Sequence, residues 1–337
     1  MQLLTCPSTG NTEILDVPMP ALATGDILIE MLAFGVCGTD VMKVYDQSVA
    51  KPVQLGHEIV GRVVVGNTHF TKGQRVAVAH HAPDFSSHYS KRGSATQDPV
   101  FKASNVFPGG FAEFIRVPIG LAEHTMFAVP DDMPTARAAF MEPLACCLRA
   151  LDRVPVQADD TVLLVGAGAI GLLFVPLVQA VGGRVVVADV REERLQAARD
   201  WGAVATGMVG RDDIAAFCKS SSQGRGADVA ILTVVDQATL ELALRSVRDG
   251  GWIIPFGVKP GMMPIVDLWQ LYHREVSLVT SYSATPEGLG RALALLSKPG
   301  FELEKTISHQ LPLVDAAQGF AMLHEAKASK VLLMGAV

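Results

Sequence analysis

The sequence predicts an α/β chain that joins a compact antiparallel β-barrel to a doubly wound parallel sheet. Three observations carry this. Residues 1–144 hold short Val- and Ile-rich runs punctuated by Gly, Pro and Asn. From about residue 145, continuous apolar runs alternate with helical patterns, as strands covered by helices on both faces require. Finally, 49% hydrophobic residues against 18% charged, over 337 residues, is ample for two cores and far from disorder.

The elements follow in order. Runs at 27–31, 59–65 and 75–78 predict barrel strands, and the polar stretch 80–108 predicts a long loop or lobe. The apolar run 162–165 predicts a buried parallel strand, followed by a helix. A strand at 185–189, a helix at 192–201 and strands at 228–232, 252–256 and 276–280 continue the alternation. The tail predicts helices at 286–297 and 314–326 and a last strand at 330–334. The expected domains are 1–144 with 285–337, the tail folding back, and 145–284.

Charge and composition exclude several functions. Lys and Arg number 28 against 34 Asp and Glu, a net −6, so the basic footprint of a nucleic-acid binder is missing. Residues 161–183 carry no charge and are long enough to span a bilayer. Gly166, Gly168, Gly171 and Pro176 argue instead for a buried strand, a tight turn and a helix that Pro176 kinks. No membrane role is expected. The start lacks a basic region followed by an apolar run, so no secretory signal is expected. Five cysteines, at 6, 37, 146, 147 and 218, are too few and scattered for a disulfide scaffold. The expectation is a cytoplasmic protein.

Gly166-x-Gly168-x-x-Gly171 is a weak motif alone, but its setting strengthens it. A buried strand precedes it, a helix follows, and the next strand ends at Asp189. Gly166 permits the turn, Gly168 admits a pyrophosphate at the helix N-terminus, and Gly171 lets helix and sheet pack. Asp189 can accept from both ribose hydroxyls and would repel a 2′-phosphate, which favours NAD over NADP. Arg191 and Arg194 pull the other way, since Arg can hold a phosphate.

Three separated pieces share a second chemistry: 35–40 (Gly-Val-Cys-Gly-Thr-Asp), 56–58 (Gly-His-Glu) and 141–145 (Met-Glu-Pro-Leu-Ala). A thiolate, an imidazole and a carboxylate with one open position describe a catalytic zinc site. Taken singly, each has an ordinary reading: a buried Cys, a solvated turn, a helix start. Spacing alone cannot join pieces this far apart.

These motifs, together with 109–114 (Gly-Gly-Phe-Ala-Glu-Phe) and the glycine fingerprint, resemble the medium-chain zinc-dependent alcohol dehydrogenase superfamily, over essentially the whole chain. The 142–145 form is closest to the sorbitol (polyol) dehydrogenase branch. The resemblance implies a GroES-like catalytic barrel and a Rossmann domain. It implies that Cys37 and His57 ligate zinc, with Glu58 and Glu142 as direct or water-mediated ligands. Asp40 would orient His57, and Thr39 would hydrogen-bond the substrate oxygen and begin a proton path. Gly166, Gly168, Ile170, Gly171, Asp189, Arg194 and Lys330 would bind the cofactor, Lys330 at the pyrophosphate. The implied reaction passes hydride from a secondary alcohol or polyol to NAD, in a homodimer or homotetramer paired through 276–280.

The chain also departs from its relatives. Many carry a structural zinc on four Cys whose places here hold Asp84, Ser87, Ser90 and Asp98. One catalytic zinc and no structural zinc are therefore expected, with the lobe held by hydrogen bonds. His80, His81 and His88 are read as solvated or hydrogen-bonded. Met42 stands where relatives often relay a proton through His, and Ser281 where the polyol branch has Arg. Cys146 and Cys147 read as buried core. The alternatives are an NADP-dependent carbonyl reductase of the same superfamily and a non-catalytic dinucleotide-binding descendant.

Overall fold

The structure, a computed structural model, describes residues 1–335. It forms two compact units, 1–145 with 284–337 and 146–283. The first holds strands β1 (Gln2–Ser8), β2 (Asn11–Asp16), β3 (Ile27–Gly35), β4 (Glu58–Val65), β5 (Arg75–Val78), β6 (Phe114–Val117) and β7 (Met126–Ala128). The second holds β8 (Thr161–Val165), β9 (Arg184–Asp189), β10 (Ala205–Met208), β11 (Ala227–Leu232), β12 (Val247–Pro255) and β13 (Ser277–Leu278). The chain then returns to the first unit with β14 (His309–Pro312) and β15 (Val331–Met334).

In the first unit, β1 and β2 pair as a two-stranded sheet, and the main sheet runs β14-β15-β3-β4-β5-β7 with β6 on β3. All its pairings are antiparallel except β14 with β15. β3 is the hub: it pairs with β15, β4 and β6, and all but two of its residues are buried. The returning tail adds to this core. Phe320, on the helix Ala316–His324, meets Phe111 edge to face, and Phe111 meets Phe34 on β3 in the same way. Such pairs stabilise beyond their buried area by roughly 0.5–1.5 kcal/mol each.

The second unit is a parallel sheet in the order β10-β9-β8-β11-β12-β13. The order reverses between β8 and β11, which is where doubly wound sheets bind ligands. Every residue of β8 and β11 is buried, so their apolar runs do not alternate. The helix Ala169–Ala180 runs on through Pro176, and no helix among the described residues is long and apolar enough to cross a membrane.

Several elements differ from expectation. The β1–β2 hairpin and β10 carry too little β-branched pattern to stand out. The run 276–280 forms only the two-residue β13. The 314–326 helix begins as a 3₁₀ turn, Leu313–Asp315. The 80–108 lobe contains short helices, His88–Lys91 and Pro99–Ala103.

Candidate active site

Cys37, His57 and Glu58 converge in the first unit. Each offers a ligand atom, and these atoms lie within 4.8 Å of one another. The β3–β4 register does this: Gly35 lies opposite Glu58, so the chain leaving β3 meets the chain entering β4. Cys37 is the N-cap of the helix Gly38–Tyr45, and its sulfur accepts from Thr39 N–H at 3.5 Å. Thr39 itself is exposed on the first turn.

Asp40 ties the two loops together. Its carboxylate accepts from Cys37 N–H at 3.3 Å and from Gly56 N–H at 3.0 Å, and it faces His57 Nδ1 at 3.5 Å. That contact leaves Nε2 of His57 for a metal, the arrangement that fixes a ligand's tautomer. Burial alone would raise the Asp40 pKa, but the charge of His57 and hydrogen bonds from His57 and Gly56 hold it low. Burial alone would lower that of His57, but Asp40 and Cys37 raise it well above the ordinary value.

Glu58 is buried beside Lys330. One carboxylate oxygen, Oε2, pairs with the Lys330 ammonium, which also donates to Val36 O at 3.3 Å. The other, Oε1, is buried with no hydrogen-bond partner. Buried acceptors are rarely left so. An orphaned carboxylate oxygen beside a thiol and an imidazole suits a zinc ion, which takes S, N and O donors. Gly35 makes room for the Lys330-bound half of the carboxylate: a Cβ there would stand 1.7 Å from Glu58 Oε2.

Glu142 is buried on the first turn of the helix Met141–Leu151 and falls outside the set of three. His80, which the sequence left among ordinary histidines, packs its ring 5.2 Å from His57 and 3.7 Å from His81. Burial, then the charge of His57, pushes the His80 pKa well down. His81 donates from Nδ1 to Ser104 O at 2.6 Å, and burial pushes its pKa down to about 4.

The second unit carries the glycine loop. Gly166 has φ +95°, and a Cβ there would strike the Thr233 hydroxyl at 2.3 Å. That hydroxyl donates to Gly166 O at 2.9 Å, a contact the sequence reading missed. Gly168 is the N-cap of the helix Ala169–Ala180 with no side-chain cap, and a Cβ there would meet open space. Ile170 and Gly171 follow on the first turn. The helix N-terminus therefore offers N–H donors to an anion. Asp189, buried at the end of β9, accepts from Ala167 N–H at 2.7 Å and Arg191 N–H at 3.0 Å. Arg194 Nη1 lies 3.7 Å from the same carboxylate. Loop, helix and acidic strand end fit a dinucleotide.

Comparison with known proteins agrees. Residues 23–131 match the alcohol dehydrogenase GroES-like domain family, and residues 169–298 match the zinc-binding dehydrogenase family. The chain is 30% identical over 269 residues to sorbitol dehydrogenase of Bacillus subtilis, covering 77% of this chain and 75% of that protein. It is 28% identical over 330 residues to L-threonine 3-dehydrogenase of Anaeromyxobacter dehalogenans, covering 94% and 93%. A solved zinc-binding dehydrogenase from Sinorhizobium meliloti, bound to NADP, superposes with a TM-score of 0.88 at 27% identity, covering 99% and 98%. The chain belongs to the zinc-dependent medium-chain alcohol dehydrogenase superfamily. The barrel unit is thus its GroES-like domain, and the parallel sheet its Rossmann domain.

In this member of the superfamily the 80–108 lobe contains no cysteine. Asp84, Ser87, Ser90 and Asp98 still gather, through hydrogen bonds. Asp98 accepts from the N–H groups of Asp84, Val100 and Phe101 at 3.1, 2.9 and 3.2 Å. The Ser90 hydroxyl donates to Asp84 O at 2.7 Å, and its oxygen lies 3.3 Å from Ser87 Oγ. Burial works against the charge on Asp98, yet bonds from Ser87 and these N–H groups hold its pKa low. The Ser281 hydroxyl, in the second unit, is buried without a hydrogen-bond partner.

Proposed function

We propose that this dehydrogenase oxidises a secondary alcohol or polyol to the ketone or aldehyde, using one zinc ion and NAD. The observation that carries the reading is the convergence of Cys37, His57 and Glu58 with Glu58 Oε1 left unpaired. Cys37, His57 and Glu58 would hold the ion, with Glu142 available to exchange for Glu58. When bound, zinc supplies Lewis acidity to a hydroxyl oxygen, and the nicotinamide supplies the hydride acceptor.

The chain's own residues do the rest. Asp40 keeps His57 in one tautomer and locks the Cys37 loop to the Gly56 turn. Thr39, exposed beside Cys37, accepts the substrate's hydroxyl proton and passes it toward water. Met42, three residues on, cannot carry it. The substrate loses that proton from oxygen and a hydride from carbon, so the product is a carbonyl. Asp189 sets cofactor choice: its charge opposes a 2′-phosphate, with Arg194 pulling the other way. Arg194 would line the adenosine side, and Ile170, on the first turn after Gly168, would also contact the cofactor. The lobe, closed by Asp98 and two serines, takes no second ion. Pairing of two copies through the β13 region would give the oligomer, and the cytoplasm is the proposed location.

Metal analysis of purified protein should give about one zinc per chain; two would refute the lobe assignment, and none would refute the metal site. Cys37→Ser should abolish oxidation of a panel of polyols, amino alcohols and secondary alcohols while leaving NADH binding intact. Unchanged turnover would remove Cys37 from the reaction.

A further inference from the structure

We infer that Lys330 is a positioning residue that keeps Glu58 exchangeable at the metal, by holding one of its carboxylate oxygens. This rests on the metal reading of Cys37, His57 and Glu58. The resemblance to relatives gives Lys330 to a cofactor pyrophosphate, but its ammonium is engaged inside the barrel unit. It pairs with Glu58 Oε2, donates to Val36 O and stands 5.8 Å from the Phe140 ring centroid. The Lys330 side chain is 6% exposed and that of Glu58 not at all.

Strand order explains the placement. β15 lies antiparallel to β3 with Leu332 opposite Gly35, and Val36 N–H donates to Val331 O at 3.0 Å. Val331 is therefore level with Val36, and Lys330, one step further, is level with Cys37, on the flank of β3 away from β4. From there its long stem reaches the carboxylate that β4 presents over Gly35, where no side chain intervenes. The two carboxylate oxygens thus have different surroundings. Oε2 is on an ammonium, and Oε1 has nothing.

A zinc ion and an ammonium would then compete for one carboxylate, and the ammonium would also repel the ion. Both effects weaken the grip of Glu58 on the metal. Neutralising Lys330 releases Glu58 to the ion, and the site should hold zinc more tightly. Loss of an outer contact that supports a ligand typically costs about 10–100-fold in metal affinity; Lys330 competes with the ion instead, so its loss should act on a similar scale with the opposite sign.

The test measures zinc release from the purified holoprotein to a chromogenic chelator, beside the visible spectrum of the cobalt(II)-substituted protein. Lys330→Met should slow zinc release by about tenfold or more and shift the cobalt bands. Lys330→Arg, which keeps the charge, should restore both. In the Glu58→Gln/Lys330→Met double variant, which leaves no buried charge unpaired, release should no longer depend on residue 330. Unchanged or faster release in Lys330→Met, or an equal effect in Lys330→Arg, would overturn the inference while leaving the metal site standing. A wild-type protein that binds neither zinc nor cobalt would overturn both.

Discussion

Gly35→Ala should unseat the Glu58 carboxylate. The new Cβ would lie 1.7 Å from Oε2 and 2.8 Å from Cδ, and real Cβ atoms essentially never come within 3.0 Å of another heavy atom. The carboxylate must retreat by more than an ångström, and β4 behind it cannot give, because its residues from Glu58 to Gly61 are buried. Retreat breaks the pair with Lys330. Two buried charges are then left uncompensated, which costs about 3–5 kcal/mol. With an m-value of roughly 3 kcal/mol/M, the urea midpoint of the barrel unit should fall by about 1–1.7 M. Zinc content should fall with it, because here the carboxylate is itself driven off its seat by the new Cβ, rather than released in place as by loss of the Lys330 charge. Glu58→Ala added to Gly35→Ala removes the clash, so the double variant should lose less than the two single losses summed. A Gly35→Ala protein that keeps its midpoint and its zinc would refute the argument, because the carboxylate would then have an alternative seat.

Other outcomes follow from the same geometry. Asp189→Ala should narrow the preference for NAD over NADP and destabilise the Rossmann unit by roughly 1–3 kcal/mol, since the Ala167 N–H loses its acceptor; unchanged affinities for both cofactors would take Asp189 off the ribose. Asp98→Ala should lower the stability of the lobe. The folded pKa of Asp98 lies below its ordinary 3.8, so its contribution is full above that value and fades as pH drops through the lower folded one. Equal pH profiles for variant and wild type in proteolysis of the lobe would contradict this. His81 is held neutral down to about 4, while an unfolded histidine takes its proton near 6.5. Stability is therefore full above pH 6.5 and lost on acidification toward 4. His81→Gln should remove about 1.4 kcal/mol per pH unit of that slope, and parallel melting curves would show that His81 does not titrate there.

The fold was legible because its signals are local. β8, β9 and β11 announce themselves as unbroken apolar runs, and β3, β4 and β5 as β-branched runs with turn residues between them. What was lost needs partners to exist. β10 reads Ala-Thr-Gly-Met and is a strand because β9 offers it a parallel edge. Its Gly207 has no side chain because Ile214 and Phe217 crowd the spot. β13 shrinks to two exposed residues at the sheet's edge, although four of the five residues at 276–280 are apolar or β-branched and invited a longer reading.

The chemistry of the site was legible as residue type, and its geometry was not. Cys37 and His57 are 20 positions apart in the chain, and nothing in that number brings them together. The register does, and it depends on two irregularities in the β3–β4 ladder, between Leu28 and Ile29 and between Met31 and Ala33. A slip of one residue would turn every later side chain to the opposite face. Glu58 would then no longer face Gly35. Lys330 reaches Glu58 across a sequence separation of 272, through a strand that returns only after the whole second unit. A basic residue near the C-terminus reads as a surface charge or a cofactor contact. Its burial beside a carboxylate follows from β15 pairing with β3, and only that pairing makes Gly35, Glu58 and Lys330 one unit.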